Sequence, residues 1–491
     1  MSGMTVTRLA LLLPLAACVA PSIDAGVQPR TVGALGATSL ATAAPDAGSF
    51  AVTNPGVSAA WPRQEWWRDY GDPQLDALVA EALVGSPDVA AASARLHRAA
   101  AQVGQARAAT LPSLDANGSA ALSKQSYNNG IPPAFVPRGY NDVGRASLDF
   151  NWELDFWGRN RKSLAAATSD LQAVDADRAA AVLMLSTSVA STYAQLAQLQ
   201  AERALAAASI GLRGETLKLV RQRVANGLDT RGEERSAEAG VAVARETLGG
   251  TDESIALTRN ALAALVGAGP DRALTIVAPA NMRIGASGLP DRIGADLIGR
   301  KPEIVAARWR AEAAAKRVGV ARASFYPDIN LAAFIGFQSL GLSNLVATGS
   351  DIGQVGPAIR LPIFDGGRLK ANLRGAEADY ALAVSQYDSA LVRALQDVAD
   401  ATASSRALVG RLADARAALV AQEDAYKIAR LRYTGGLADY QSVLIAEDEV
   451  LARRRVVADL QARAFTLDIA LVRALGGGYA APSAIAQIGM P

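Results

Sequence analysis

Cysteine and histidine occur once each in 491 residues, and that scarcity removes most of the chemistry those side chains carry. The lone thiol, Cys18, excludes an internal disulfide. His97, in RLHRAAAQ, is the one residue around which a Ser/His/Asp arrangement could be built, and it reads as a helix-surface or helix-packing residue. No Cys/His metal spacing, no GxxxxGKS/T phosphate loop and no HExxH is present. Neither an enzyme nor a bound metal or cofactor is expected. Aromatics make up 5% of the residues and the formal net charge is +2, so no electrostatic argument points to a nucleic-acid partner. No apolar run of eighteen or more residues follows the N-terminus, so no helix beyond it reads as crossing a bilayer. Proline is absent from Gly158 to Gly269 and again from Asp365 to Ala481.

What fills those proline-free stretches is alanine-rich helical text. Leu185, Val189, Thr192, Leu196, Leu199, Arg203, Ala206, Ile210, Arg213, Leu217, Val220 and Val224 follow an alternating 4,3 spacing. That is the 3.5-residue period of a coiled coil. A single helix from Arg159 to Ala225 would be on the order of 100 Å long at 1.5 Å per residue, suited to a conduit rather than a compact domain.

The chain is also written twice. Pro87 and Pro112 recur 215 positions later as Pro302 and Pro327. Gly158-Arg159 recurs 209 positions later as Gly367-Arg368, Asn226-Gly227-Leu228 as Gly435-Gly436-Leu437, and Ala261-Leu262 as Ala470-Leu471. One six-residue deletion reconciles the two offsets, so the sequence is a tandem duplication. Each half reads helix, strand, strand, long helix, turn, helix. The first repeat is expected over 61–269, with strands at about 111–122 and 145–156 and a helical hairpin over 159–267. A linker over 270–296 follows. The second repeat is expected over 297–478, with strands at about 328–338 and 354–364 and a hairpin over 367–476. A tail occupies 479–491.

The strand near Arg145 alternates strictly, with Leu148, Phe150, Trp152 and Leu154 on one side and Asp149, Asn151, Glu153 and Asp155 on the other. All four strands approach the ~9–11 residues that span a tilted bilayer crossing. Open edges cannot lie in hydrocarbon, and outer-membrane barrels begin at eight strands. Four strands per chain therefore point to an oligomer, and three chains give a twelve-stranded barrel. In that reading the Leu148 row faces lipid and the Asp149 row lines the lumen. A hairpin packed on a soluble core would alternate too. The basic cluster Arg159, Arg161 and Lys162 then either meets lipid headgroups or begins a solvated helix.

At the N-terminus, Arg8 precedes a short apolar run that ends at Leu15-Ala16-Ala17-Cys18. This reads as a signal peptide over 1–17, followed by a lipid-anchored tether over 18–60 rich in Ala, Gly, Pro, Ser and Thr. The four residues are similar to a bacterial lipobox, which makes Cys18 the acylated first residue; an ordinary signal peptide that contains a cysteine is the alternative. Val19 in place of Asp favours the outer membrane.

The duplicated plan, the lipobox, WWRDYGDPQLDALVAEAL at Trp66–Leu83 and FDGGR at Phe364–Arg368 together resemble the TolC-like outer membrane efflux factors, in their OprM/NodT lipoprotein branch. The likeness covers roughly Trp61 to Gly478. It implies a mainly α chain with a transmembrane β part: a homotrimeric channel-tunnel with a twelve-stranded barrel and a coiled-coil periplasmic α-barrel. It also implies a periplasmic adaptor and an inner-membrane pump, commonly of the resistance-nodulation-division class, exporting drugs or small toxic compounds from a Gram-negative cell. The resemblance places the adaptor contact at the tips Gly227, Leu228, Gly436 and Leu437. It makes Asp229, Arg231, Glu233, Glu234, Arg235, Tyr433, Asp439, Gln441 and Ile445 candidates for a periplasmic gate. Glu233, Glu234 and Asp439 would form acidic rings there, and Arg231, Arg235 and Tyr433 would bridge neighbours. Relatives often carry Asp in a Leu-Leu-Asp-Ala stretch after the second turn; Leu444-Ile445-Ala446 departs from it. The competing function is a non-conducting coiled-coil lipoprotein that serves as a spacer, which would need no lipid-facing hairpins.

Overall fold

A computed structural model describes residues 28–31, 61–279 and 293–481. Cys18, the segment 1–17, most of 18–60, residues 280–292 of the linker and 482–491 of the tail lie outside the described residues. The described chain divides into two compact units. One holds His97–Gln172 and Arg308–Gln386; the other holds the described parts of Pro29–Leu96, Ala173–Ala307 and Tyr387–Pro491.

The order of elements is α1 (Pro73–Gly85), α2 (Pro87–Ala108), β1 (Ser113–Ser123), β2 (Asn141–Glu153), α3 (Arg159–Ala225), α4 (Arg231–Leu265) and α5 (Pro270–Leu274). Then come α6 (Ile293–Arg300), α7 (Pro302–Ala323), β3 (Asp328–Leu340), β4 (Asp351–Arg360), α8 (Arg368–Thr434) and α9 (Tyr440–Ala474). The hairpins of the two halves match in length: 67 residues in both α3 and α8, and 35 in both α4 and α9. The stretch expected as a linker carries α5 and the start of α6.

In the first unit the four strands form one antiparallel sheet in the order β1-β2-β3-β4. Strand β2 starts at Asn141 and ends at Glu153, so Leu154 and Asp155 lie beyond it, although Leu154 N still donates to Ile329 O at 2.8 Å. The reason is local: the Asp155 carboxylate accepts from Arg161 N at 2.8 Å and so belongs to the start of α3, not to the lumen row. Close approach fixes one glycine. A Cβ on Gly336 would sit 2.1 Å from Ala146 O and 2.7 Å from Ser147 Cα, so the β2–β3 pairing admits no side chain there.

The second unit is held by a core of Trp66, Trp67, Tyr70, Leu75 and Leu78 packed on Leu185, Val189, Tyr193 and Leu196 of α3, with Leu262 and Ile469. Leu185, Val189 and Leu196 are seam positions of the 3.5-residue repeat and are buried here, together with Tyr193, which lies off the seam. One stretch of α3 is apolar over eighteen residues, and half of it is buried inside the chain. Asp72 caps α1, accepting from Gln74 N at 2.9 Å, and its other oxygen accepts from the buried Tyr193 hydroxyl at 2.9 Å. The first residues of the body are thereby tied to the long helix.

Tyr70 donates to Asp468 Oδ2 on α9 at 2.6 Å. Burial, more than any other influence, pushes the Asp468 carboxyl up to about 6, against an ordinary 3.8. Between about pH 4 and pH 6 the folded protein therefore holds a proton that the unfolded chain has released. Stability from this group is fullest at acid pH and is lost as the pH rises through that window. Asp468→Asn should stabilise the protein above pH 6, by on the order of 1–3 kcal/mol, and by little below pH 4. Thermal unfolding of both forms at pH 4, 5 and 7 measures the difference; a gain independent of pH would contradict it.

Candidate functional site

The register sorts the sheet into two faces. Leu148, Phe150 and Trp152 pair with Ile335, Ala333 and Leu331 on β3, and Leu148 and Phe150 with Ala116 and Leu114 on β1. Through β3 the same face continues to Val355, Pro357 and Ile359 on β4. The opposite face carries Asp115, Asn117, Arg145, Ser147, Asp149, Asn151, Glu153, Asn330 and Gln354. Asp149 lies directly across from Asp115. The like charges are offset because Asp149 accepts from Asn117 Nδ2 at 2.9 Å and from Ser147 Oγ at 2.8 Å. Arg145 stacks 5.2 Å over Phe334, the one large aromatic on this face. Neither β1 nor β4 has a second partner strand among the described residues, so both edges are open.

The basic cluster after β2 is occupied within the chain. Arg159 pairs with Glu153 at 2.7 Å and Asp328 at 3.1 Å, and Arg161 with Asp155 at 3.4 Å. Trp157 stacks on Tyr326 with centroids 4.6 Å apart and donates to Pro327 O at 3.0 Å.

The two helix turns, in the second unit, are built alike. Gly227 (φ 70°) and Gly436 (φ 72°) take the left-handed conformation that ends a helix. Leu228 N donates to Arg223 O at 2.8 Å, and Leu437 N to Arg432 O at 2.7 Å. Both are Schellman closures, which satisfy the last carbonyls of α3 and α8. The leucines they position are 63% and 74% exposed. Thr230 opens α4 with a capping box to Glu233 (Thr230 N to Glu233 Oε2, 2.6 Å), and Asp439 opens α9 by accepting from Ser442 N at 3.0 Å.

Between the turns lies a polar cluster. The Asp229 carboxylate accepts from Arg223 Nε at 3.1 Å and from the Tyr433 hydroxyl. Arg223 also donates to Tyr433 O at 3.0 Å and lies 4.4 Å over its ring. Tyr433 is fully buried, against Val220, Ala237, Tyr440 and Val443, and burial first, then Asp229, pushes its hydroxyl pKa up. This differs from the expected bridge between neighbouring chains, because Tyr433 is enclosed by its own. Arg235 stays exposed while pairing with Glu238 of its own helix at 2.6 Å, and Glu234 pairs with Arg221 at 3.2 Å. Glu233 and Asp439 are engaged as caps. Arg231, Gln441 and Ile445 are exposed.

Two residues of this region escaped sequence reasoning. Arg223 carried only a weak signal, as the sole basic residue in the last turn of α3. Glu447 is 1% exposed and accepts from Thr216 Oγ1 at 2.9 Å, with Arg213 Nε 3.9 Å away. A clue existed: Arg213 stands at an apolar seam position, where a cation needs a partner.

The profile of the outer membrane efflux protein family matches residues 78–268 and 294–477. The chain belongs to that family. It is 30% identical over 432 residues to the multidrug resistance outer membrane protein MdtP of Escherichia coli K12, covering 87% of this chain and 88% of that one. It is 35% identical over 337 residues to the fusaric acid resistance protein FusA of Burkholderia cepacia, covering 68% of this chain and 63% of FusA's length. Its structure superposes on the outer membrane protein VceC of Vibrio cholerae with a TM-score of 0.80 at 47% identity, covering 85% of this chain and all of VceC. The fold is that of the TolC-like outer membrane channels, with a helical tunnel and a β-barrel, and the protein is an outer membrane efflux channel.

Proposed function

We propose that three copies of this chain close a twelve-stranded barrel and conduct drugs or other small toxic compounds out of the periplasm. An inner-membrane pump, of the resistance-nodulation-division type, delivers them through a periplasmic adaptor. The observation that supports this most is the sheet: four strands with one apolar face, one polar face and two open edges. Such a sheet is unstable in lipid alone and complete when copies pair edge to edge. A non-conducting spacer has no use for it. Single-channel recording in a planar bilayer tests the reading. Discrete conductance steps from purified trimers support it, and a silent membrane at the same protein load refutes it.

Acylation of Cys18 after removal of residues 1–17 completes the anchor. One acyl chain gives only marginal membrane affinity, so the barrel remains the principal hold. Mass spectrometry of the mature N-terminus should find a lipidated Cys18, and cleavage at any other residue contradicts it.

The Arg223–Asp229–Tyr433 cluster serves as the latch that holds the periplasmic mouth narrow. It ties the end of α3 to the end of α8, and it exists once per chain, because the repeat counterpart of Asp229 is Ala438. A hydrogen bond to a charged group contributes ~1.5–3 kcal/mol, so Tyr433→Phe should raise the open-to-closed ratio about tenfold. Asp229→Asn should act in the same direction. Larger mean conductance in bilayers, with unchanged trimer abundance, is the expected reading; an unaltered conductance in both variants would remove the latch.

A further inference from the structure

The junction between β4 and α8 differs from its duplicate in a way that calls for a ligand. At the first junction Arg159 and Arg161 are neutralised by Glu153, Asp328 and Asp155. At the second, 209 positions on, Arg368 and Lys370 replace those cations, but Pro362 and Phe364 stand where Glu153 and Asp155 would be. Arg368, Lys370 and Arg374 are all exposed, and none has an acidic partner among the described residues. The single acid of the stretch, Asp365, is spent on Gly367 N at 3.0 Å and Leu369 N at 2.8 Å. Three cations without an acidic partner among the described residues thus stand in the first two turns of a 67-residue helix, Lys370 and Arg374 on one face and Arg368 at its first residue, where the backbone dipole is itself positive and the first turn holds no acid.

Beside them the surface is apolar. Ile363 and Phe364 are 93% and 92% exposed. Pairing of β4 ends at Arg360, and Leu361 in the following stretch is exposed as well. We propose that this junction holds an anionic phospholipid of the periplasmic leaflet, with its phosphate among Arg368, Lys370 and Arg374 and its acyl chains against Ile363 and Phe364. The proposal rests on the reading that the sheet spans the membrane. A free phosphate would satisfy the cations but leave the apolar residues in water, whereas a lipid answers both.

The test uses full-length trimers reconstituted in mixed phosphatidylcholine and phosphatidylglycerol vesicles, with co-purifying lipid counted by native mass spectrometry. Wild-type trimers should retain phosphatidylglycerol over phosphatidylcholine. That preference should fall about fivefold for each cation removed, reaching background in R368Q/K370Q/R374Q. R161Q should leave it unchanged, because that charge is already paired, and R368K/R374K should keep it, because the charge is retained. Phe364→Ser should weaken retention of both lipids. A triple variant that keeps the preference overturns the proposal, as does displacement of the lipid by millimolar inorganic phosphate. So does a triple variant that fails to trimerise in lipid-free detergent while R368K/R374K assembles, since the cations would then belong to a contact between copies. Release of wild-type protein from vesicles by an alkaline wash would sink the membrane reading itself, which the lipid count alone would not.

Discussion

Leu228→Asp combined with Leu437→Asp is expected to reduce drug export to that of cells without the protein, while trimers reach the outer membrane at normal abundance. The two leucines are held outward by Schellman closures at Gly227 and Gly436, and neither packs into the core around Tyr433. Exposed apolar residues at helical tips are poorly placed unless a partner covers them. A carboxylate in their place must be stripped of water when the adaptor docks, at several kcal/mol per ion. Adaptor affinity should fall at least ~100-fold. The fold should survive, because the substituted side chains point into solvent and the closures are made by backbone groups. Substitution of Gly227 and Gly436 by bulky residues should give the same loss through a different cause, since φ near +70° strains any side chain. Drug susceptibility, adaptor cross-linking and trimer abundance measured in the same cells separate docking from assembly. Full export by both classes of variant would remove the tips from the mechanism.

Periodic features were legible before the structure, and features made by distant pairs were not. Period-2 alternation from Ala146 to Phe156 and the 3.5-residue seam from Leu185 to Val224 are properties of single segments, so the sequence exposes them directly. Strand ends are different. The alternation runs on through Leu154 and Asp155 although pairing stops at Glu153, because hydropathy does not register that Asp155 is bound to Arg161 N. At the other end β2 begins at Asn141, where Asn-Asp-Val-Gly has no amphipathic pattern and pairing with Ser123 and Leu340 decides. The polar cluster between the two turns was half visible. Asp229 and Tyr433 were both candidates, but 204 residues separate them, and only folding brings the hydroxyl to the carboxylate. Acidic residues near the turns suggest rings of charge in a trimer; what the sequence does not reveal is that Glu233 and Asp439 are also caps and that Glu234 also pairs with Arg221.

Phe150→Arg should block barrel assembly, and Asp149→Asn should not. The two residues are neighbours on β2 but project from opposite faces, Phe150 between Leu114 and Ala333, Asp149 between Asp115 and Phe334. An arginine near the bilayer midplane on a lipid face costs about 2–4 kcal/mol per site, and a trimer meets that cost three times. Heat-stable trimer should therefore be lost from the membrane fraction, with Leu148→Arg behaving alike. On the polar face, asparagine keeps an acceptor for Asn117 and Ser147 and relieves the opposition to Asp115. Assembly should be normal, and the change should appear in reversal potential, as a weaker preference for cations once three carboxylates leave the lumen. Equal loss of trimer in both kinds of variant would mean that the faces are reversed or that neither meets lipid.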